Sequence, residues 1–73
     1  MENKIINIIA ETLNIATENI TRDKKISDIP EWDSLMFLMI ISRMTDEVGV
    51  SIPIDKALPI TTVAEILDYA EGK

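Results

Sequence analysis

The stretch Glu31-Trp32-Asp33-Ser34-Leu35, followed by the apolar run from Met36 to Val48, organises the rest of this sequence. Pro30 stiffens the approach to it. Either Asp33 or Ser34 can cap a helix that begins here, because its side-chain oxygen can accept a free first-turn N–H. Ser34 is thereby predicted on an exposed corner, where unpaired backbone N–H groups and the positive end of the helix dipole favour an anion. The position suits a covalently attached phosphoryl group.

Length and composition predict one folded domain, spanning residues 1–73, with a modest core. The chain has 73 residues, of which 47% are hydrophobic and 27% charged, a balance that argues against disorder. No uncharged apolar run is long enough to span a membrane, and the N-terminus lacks the pattern of an export signal. We therefore expect a cytoplasmic protein without membrane contact, and a start at Met1 without a linker favours a free-standing one.

Missing residue types exclude several function classes. The sequence has no cysteine and no histidine, which removes disulfides, thiolate metal sites and the commonest general base. A net charge of −6 disfavours nucleic acid and anionic membranes and favours partners with basic surfaces. Asp46 and Glu47 are adjacent and diverge on a helix, so we expect no metal site there.

Apolar spacing predicts a first helix and a long, pinned loop. Isoleucines and a leucine recur at helical spacing over Glu2 to Leu13, so packing is expected to override the strand propensity of the β-branched residues. From Asn14 to Trp32 the chain is polar and irregular, and a loop of that length is often functional. Four apolar residues at intervals are expected to pin the loop to the core: Ile15, Ile20, Ile26 and Ile29.

Three further helices complete an all-α prediction. The second runs from Ser34 to Val48 and ends at Gly49, which suits the left-handed position after a helix. A short third helix covers Ile54 to Leu58. The last begins at a capping box of Thr62 and Glu65 and is closed by Gly72. Its apolar face consists of Val63, Ile66, Leu67 and Ala70. The predicted fold is a four-helix bundle with a short third helix and a long loop between helices one and two.

At this point the chain resembles the acyl carrier proteins. The resemblance rests on four segments: Asp33-Ser34-Leu35 at the head of the second helix, the preceding Ile26-Ser27-Asp28-Ile29-Pro30-Glu31-Trp32, the later Ile52-Pro53, and Thr61-Thr62-Val63. It implies that Ser34 receives a phosphopantetheine arm from coenzyme A, added by a phosphopantetheinyl transferase. The terminal thiol of the arm then carries an acyl or aminoacyl group as a thioester, and the protein itself is a carrier and not an enzyme.

The same resemblance assigns roles to the neighbours of Ser34. Asp33 would help to position the transferase's metal, and its alternative role, helix capping, is compatible with this. Leu35 would pack against the transferase and against acyl-loading and acyl-accepting enzymes, or would be ordinary core. An apolar space between helices two and three would accept the tethered chain, and we expect it to be lined by Ile41, Met44, Ile52 and Ala57.

The second helix departs from the family pattern, which usually places acidic residues along the outer face. The predicted buried face holds Phe37, Leu38, Ile40, Ile41, Met44 and Val48. The predicted outer face, which partners would contact, holds Met36, Met39, Arg43 and Glu47. Methionine suits adaptable binding surfaces, although at helical spacing it is often core. This departure favours a dedicated biosynthetic pathway, of fatty acid, polyketide or aminoacyl type, over general fatty-acid synthesis.

Two other functions are compatible with the residues. A small helical interaction module, with Ser34 as a helix cap or phosphorylation site, is the main alternative. A hydrolase is less favoured, because a base for Ser34 would have to be a lysine or a carboxylate. The sequence does not identify the cargo, and we expect a monomer.

Overall fold

The computed structural model describes residues 2–72 and confirms the predicted four-helix, all-α fold. Helix α1 spans Glu2–Leu13, α2 spans Ser34–Val48, α3 spans Ile54–Ala57 and α4 spans Val63–Ala70. Residues 2–72 contain no strand, only an isolated bridge between Lys25 and Thr62. None of the helices described is long and apolar enough to cross a membrane.

The core forms where α1 packs against α2 and α4 closes the bundle. Burial of a complete aliphatic side chain contributes about 1.5–3 kcal/mol, which explains why the isoleucine-rich segment Glu2–Leu13 is helical in spite of its strand propensity. The innermost side chains, almost without solvent contact, are Ile5, Ile9, Ile40, Met44, Val63, Ile66 and Leu67.

The loop between α1 and α2 contains two short 3-10 helices, Thr17–Asn19 and Ile26–Asp28, which the sequence did not predict. Two of its predicted pinning residues, Ile20 and Ile29, are buried. The other two, Ile15 and Ile26, are partly buried against the core. The loop is therefore attached to the bundle at intervals along its length.

Backbone hydrogen bonds join this loop to the start of α4. The N–H groups of Val63 and Ala64 donate to the carbonyls of Lys24, at 3.0 Å, and Arg22, at 2.8 Å. First-turn N–H groups have no partner within their own helix, so the loop supplies acceptors that α4 needs.

Arg22 adds ion pairs to the same junction. Its guanidinium lies 2.7 Å from a carboxylate oxygen of Glu2 on α1 and 2.6 Å from one of Asp68 on α4. The hydrogen bond to Asp68 is the main cause of the raised pKa of Arg22. The loop is thereby connected to two helices at once.

The predicted helix-end signals are present. Gly49 has a φ of 73° and its N–H donates to the carbonyl of Met44, as expected of the residue that ends α2. Thr62 and Glu65 form the predicted capping box of α4. The Thr61 hydroxyl, 2.9 Å from Glu65, is the main cause of the lowered pKa of that carboxyl group.

The prediction of which α2 residues are buried was wrong at two positions. Leu38, expected inside, is exposed, whereas Met36, expected outside, is partly buried against the core. Met36 lies one helical turn before Ile40 and two before Met44, and these two are the buried residues of α2. Leu38 remains open because α3, with four residues, is only about 6 Å long and cannot cover that side of α2.

Candidate functional site

Ser34 is the first residue of α2, and its side chain is exposed. The N-cap is Asp33, whose Oδ1 accepts a hydrogen bond of 2.9 Å from the backbone N–H of Met36. Of the two capping candidates the structure therefore selects Asp33. No group within residues 2–72 is hydrogen bonded to the Ser34 hydroxyl, so this oxygen is available for a covalent substituent.

An apolar groove of about 130 Å³ between α2 and α3 begins at Ser34. Its other lining residues are all apolar: Phe37, Leu38, Ile41, Ile54, Ala57 and Leu58. Ser34, Phe37, Leu38 and Ile41 follow the spacing i, i+3, i+4 and i+7, which places them on one face of a helix. This spacing is visible in the sequence, but of these four residues the predicted pocket included only Ile41.

The structure places two of the four predicted pocket residues in the groove and the other two in the core. Ile41 and Ala57 line the groove. Met44 and Ile52 are not among its lining residues, because both are buried in the core. Met44 lies on the inward stripe of α2 with Ile40, so its side chain belongs to the packing of the bundle.

Five exposed apolar side chains surround the groove and form what we call the apolar surface. Three are on α2, at positions i, i+3 and i+4. The fourth is the first residue of α3, and the fifth directly follows α3. Their exposed fractions are Leu35 62%, Leu38 49%, Met39 45%, Ile54 56% and Leu58 77%. Leu35 is therefore not core. After Asp33, the first acidic residue along α2 is Asp46, near its far end.

Only part of the predicted outer face of α2 is both exposed and apolar. Met39 is exposed as expected, and Met36 is not. Glu47 lies 13 residues beyond Ser34, or about 20 Å along the helix. Of the four predicted residues, only Met39 belongs to the apolar surface.

Arg43, the remaining residue of that set, is held by its neighbours. Its guanidinium contacts Glu47 at 2.7 Å and, on α1, Glu11 at 2.8 Å and Thr12 at 3.3 Å. The hydrogen bond to Glu47 is the main cause of the raised pKa of Arg43. Arg43 thus connects α2 to α1, which a single helix pattern could not reveal.

Trp32 packs behind the groove. Its ring meets that of Phe37 edge-to-face, with centroids 5.6 Å apart and planes at 85°. Trp32 is 7% exposed, and its buried indole N–H has no acceptor within the described chain.

A free hydroxyl at a helix N-terminus, next to an apolar groove, has the chemistry needed to hold a phosphate-linked group with an apolar extension. These features define a carrier domain for a tethered molecule. The family model described as "Phosphopantetheine attachment site" matches residues 3–70.

Acyl carrier proteins of three bacteria are similar over nearly the whole chain. The relative from Porphyromonas gingivalis is 32% identical over 71 residues, which cover 97% of this chain and 91% of the relative. Those from Lactobacillus johnsonii and Rickettsia canadensis are each 33% identical. These alignments cover 96% and 100% of this chain, and 88% and 85% of the respective relatives. The chain belongs to the acyl carrier protein family, and it is a carrier and not an enzyme.

The prosthetic group of this family is phosphopantetheine, which supplies a thiol when bound. The fit of this chain to the group rests on two observations: the exposed Ser34 hydroxyl has no hydrogen-bond partner among residues 2–72, and a different side chain, Asp33, caps the helix. A carrier without cysteine depends on such a group for thioester chemistry.

Proposed function

We propose that Ser34 is the attachment site of the arm and that the protein carries acyl or aminoacyl intermediates as thioesters for a dedicated biosynthetic pathway. The observation that supports this best is the position of the free Ser34 hydroxyl at the rim of the α2–α3 groove. Ser34 Oγ attacks the pantetheine-linked phosphorus of coenzyme A, the pyrophosphate P–O bond breaks, and adenosine 3′,5′-bisphosphate leaves, so that a phosphodiester joins Ser34 to the arm. The hydroxyl proton passes to the transferase.

Asp33 combines two roles in this proposal. One carboxylate oxygen caps α2 through the N–H of Met36, which fixes the direction of the side chain next to Ser34. The second oxygen is then available to the metal of a phosphopantetheinyl transferase. Helix capping and metal positioning therefore use different atoms of the same group.

The groove is proposed to receive the first part of the cargo. Ile41 and Ala57 form part of its wall, and Met44 and Ile52 lie in the core. A longer chain would reach Met44 and Ile52 only if the core opened. Methyl NMR signals, compared between the bare arm and acyl chains of increasing length, should change first at Ile41 and Ala57. Unchanged signals at both positions would mean that the cargo stays outside.

The apolar surface is proposed to be the site at which the transferase and the acyl-loading and acyl-accepting enzymes dock. It combines large exposed apolar side chains with a stretch of α2 free of acidic residues up to Asp46. Partners would therefore contact it through apolar groups more than through basic ones. This favours dedicated partners, and with them a dedicated pathway.

Two methionines on successive turns of α2 provide a matched pair of variants that tests whether partners dock on the apolar surface. Met39→Glu places a charge in the exposed apolar surface and should weaken binding to a broad-specificity transferase, with stability changed by only about half a kcal/mol. Met36→Glu places the same charge on a partly buried position and should lower the melting temperature. If Met39→Glu bound the transferase as wild type does, the docking proposal would be wrong.

Intact mass tests the attachment site. After incubation with coenzyme A and a broad-specificity transferase, wild type should gain the mass of one phosphopantetheine and Ser34→Ala should gain none. The alternative, an interaction module in which Ser34 is only phosphorylated, predicts no change in either protein. Loading of Ser34→Ala would place the arm on another residue. The cytoplasmic location and the monomeric state remain predictions.

A further inference from the structure

The groove between α2 and α3 ends before it reaches the core. Ala57, its least exposed lining residue, is 2% exposed, and Phe37 and Ile41 are partly buried. Met44, three residues after Ile41 on α2, has no exposed surface and does not line the groove. The exposed rim consists of Leu38, Ile54 and Leu58. The groove is therefore open to solvent at its rim and closed by buried side chains at its inner end.

The size of the groove limits the length of the chain that can enter it. Its volume is about 130 Å³. An apolar protein cavity of about 150 Å³ holds one molecule of benzene, so the groove has room for about five or six carbon atoms. Additional carbons would have to displace completely buried core side chains, such as that of Met44, or remain in water. Neither is favourable, because the core is close-packed and an alkyl chain in water gains nothing from burial.

The walls of the groove select the chemical class of the cargo. Apart from Ser34, whose hydroxyl the proposed attachment would convert to a phosphodiester, every lining residue is apolar. The acidic residues next to the lining residues in the sequence do not line the groove: Asp33 caps α2, and Asp55 is exposed. An ammonium group in the groove would lose its hydration without gaining a partner, which is costly. The groove therefore favours a hydrocarbon chain over an aminoacyl group.

We infer that the cargo of this carrier is a short hydrocarbon acyl group, of about six carbon atoms or fewer, and not an aminoacyl group. The inference rests on the proposed attachment at Ser34 and on the proposed entry of the cargo into the groove. It chooses between the two cargo classes that the sequence leaves open. It also sets a length limit within the acyl class, because the groove ends at the buried side chains of the core.

The stability of the loaded protein as a function of chain length tests the length limit. Amide analogues of butanoyl-, hexanoyl-, octanoyl- and decanoyl-coenzyme A resist hydrolysis, and a broad-specificity transferase is used to load each of them, with loading verified by intact mass. A chain in the groove stabilises only the folded state, so the ratio of folded to unfolded protein should rise by up to about fourfold for each carbon added from butanoyl to hexanoyl. It should rise no further for octanoyl and decanoyl.

The possible results of this series separate the inference from the proposed function. A ratio that keeps rising through decanoyl would overturn the length limit. A ratio that is independent of chain length in fully loaded protein would overturn the inference as a whole. Absence of the expected gain in mass would instead count against the proposed attachment at Ser34.

A matched pair of cargoes tests the chemical class. The 4-methylpentanoyl and leucyl groups have the same carbon skeleton, and only the leucyl group carries an amine. At about pH 6, below the ordinary α-amino pKa of about 8, this amine is protonated. The 4-methylpentanoyl form should then be more stable than the protein with the bare arm, and the leucyl form should not. Equal stabilisation by the two cargoes would overturn the preference for hydrocarbon while leaving the attachment site intact.

A matched pair of variants tests whether the groove itself sets the limit. Ile41 and Ile6 are both partly buried against the core, but only Ile41 lines the groove. Ile41→Ala enlarges the groove, so the chain length at which the stability stops rising should increase by about three carbon atoms, the number removed. Ile6→Ala removes the same atoms from α1 and should leave that length unchanged. Equal limits in the two variants would contradict the inference, and Ile41→Val, with an increase of about one carbon atom, serves if Ile41→Ala does not fold.

Discussion

The two sides of α2 differ in how completely the rest of the chain covers them. On the closed side, Ile40 and Met44 pack into the core, and Arg43 is joined to α1 through Glu11. On the open side, the four-residue α3 leaves Leu38 and its neighbours exposed around a groove. The same helix thus contributes side chains both to the core and to the exposed surface around the groove. This small domain therefore has its core packing and its exposed apolar groove on opposite faces of one helix.

The largest expected effect contrasts a core residue of α2 with a groove residue two positions away on the opposite side of the helix. Ile40→Ala should lower the free energy of unfolding by about 2–5 kcal/mol, because it leaves a cavity in the closed side. Leu38→Ala should change it by only about half a kcal/mol, because Leu38 is already exposed. Urea unfolding of both variants provides the measurement, and Ile40→Val, with an expected loss of about 0.5–1.5 kcal/mol, serves if the alanine variant is unfolded. Similar losses for Ile40→Ala and Leu38→Ala would remove the distinction between the two sides.

Next in size is the effect of the helix cap. Asp33→Ala removes the acceptor for the N–H of Met36 and should destabilise the protein by about 1 kcal/mol. Ser34→Ala should cost clearly less, because the Ser34 hydroxyl makes no capping hydrogen bond. Chemical denaturation compares the two unloaded variants directly. A larger loss of stability for Ser34→Ala than for Asp33→Ala would contradict the assignment of the cap to Asp33.

Smaller still is the contribution of the ion pairs that join α2 to α1. Arg43→Met keeps an unbranched side chain and removes the contacts to Glu11 and Glu47, whose side chains are 66% and 47% exposed. Pairs of this kind are worth about 0.2–1 kcal/mol. The stability difference from wild type should shrink in 1 M salt, where the Debye length is about 3 Å. A difference that persists unchanged in high salt would indicate that Arg43 acts through packing.

The smallest effect concerns pH and the start of α4. The folded-state pKa of Glu65 is lowered, chiefly by the Thr61 hydroxyl, so the unfolded chain binds more protons in the window between the folded value and the ordinary value of about 4.3. The stability that Glu65 contributes is therefore complete above the unfolded pKa and is lost as the pH falls through the folded one. In Glu65→Gln, the free energy of unfolding should change less with pH in this window. Thermal unfolding from neutral pH into the acid range measures it, and parallel profiles for wild type and variant would contradict the assignment.

Local signals predicted more of the fold than of the site. The glycine that ends α2 and the capping box of α4 are each encoded within a few neighbouring residues. The groove was predicted only in Ile41 and Ala57, because its outline depends on where α3 meets α2. Leu38 is exposed for the same reason, whereas Met36 is partly buried because it lies on the inward stripe of α2 with Ile40 and Met44. Helical spacing states which residues share a face, but not which face is covered.

The amino-acid sequence alone was sufficient to predict the four helices, the exposed serine at the head of the second, the absence of thiol and imidazole side chains, and the acidic charge. These properties depend on composition and on contacts within a few residues, so they can be read along the chain. Tertiary packing was needed to find that Arg43 is held by α1, that Met44 is buried in the core, and that the buried N–H of Trp32 has no acceptor among residues 2–72. Each of these results depends on the rotation of α2 and on residues distant in sequence, because the packing of several elements fixes which side of a helix the solvent reaches.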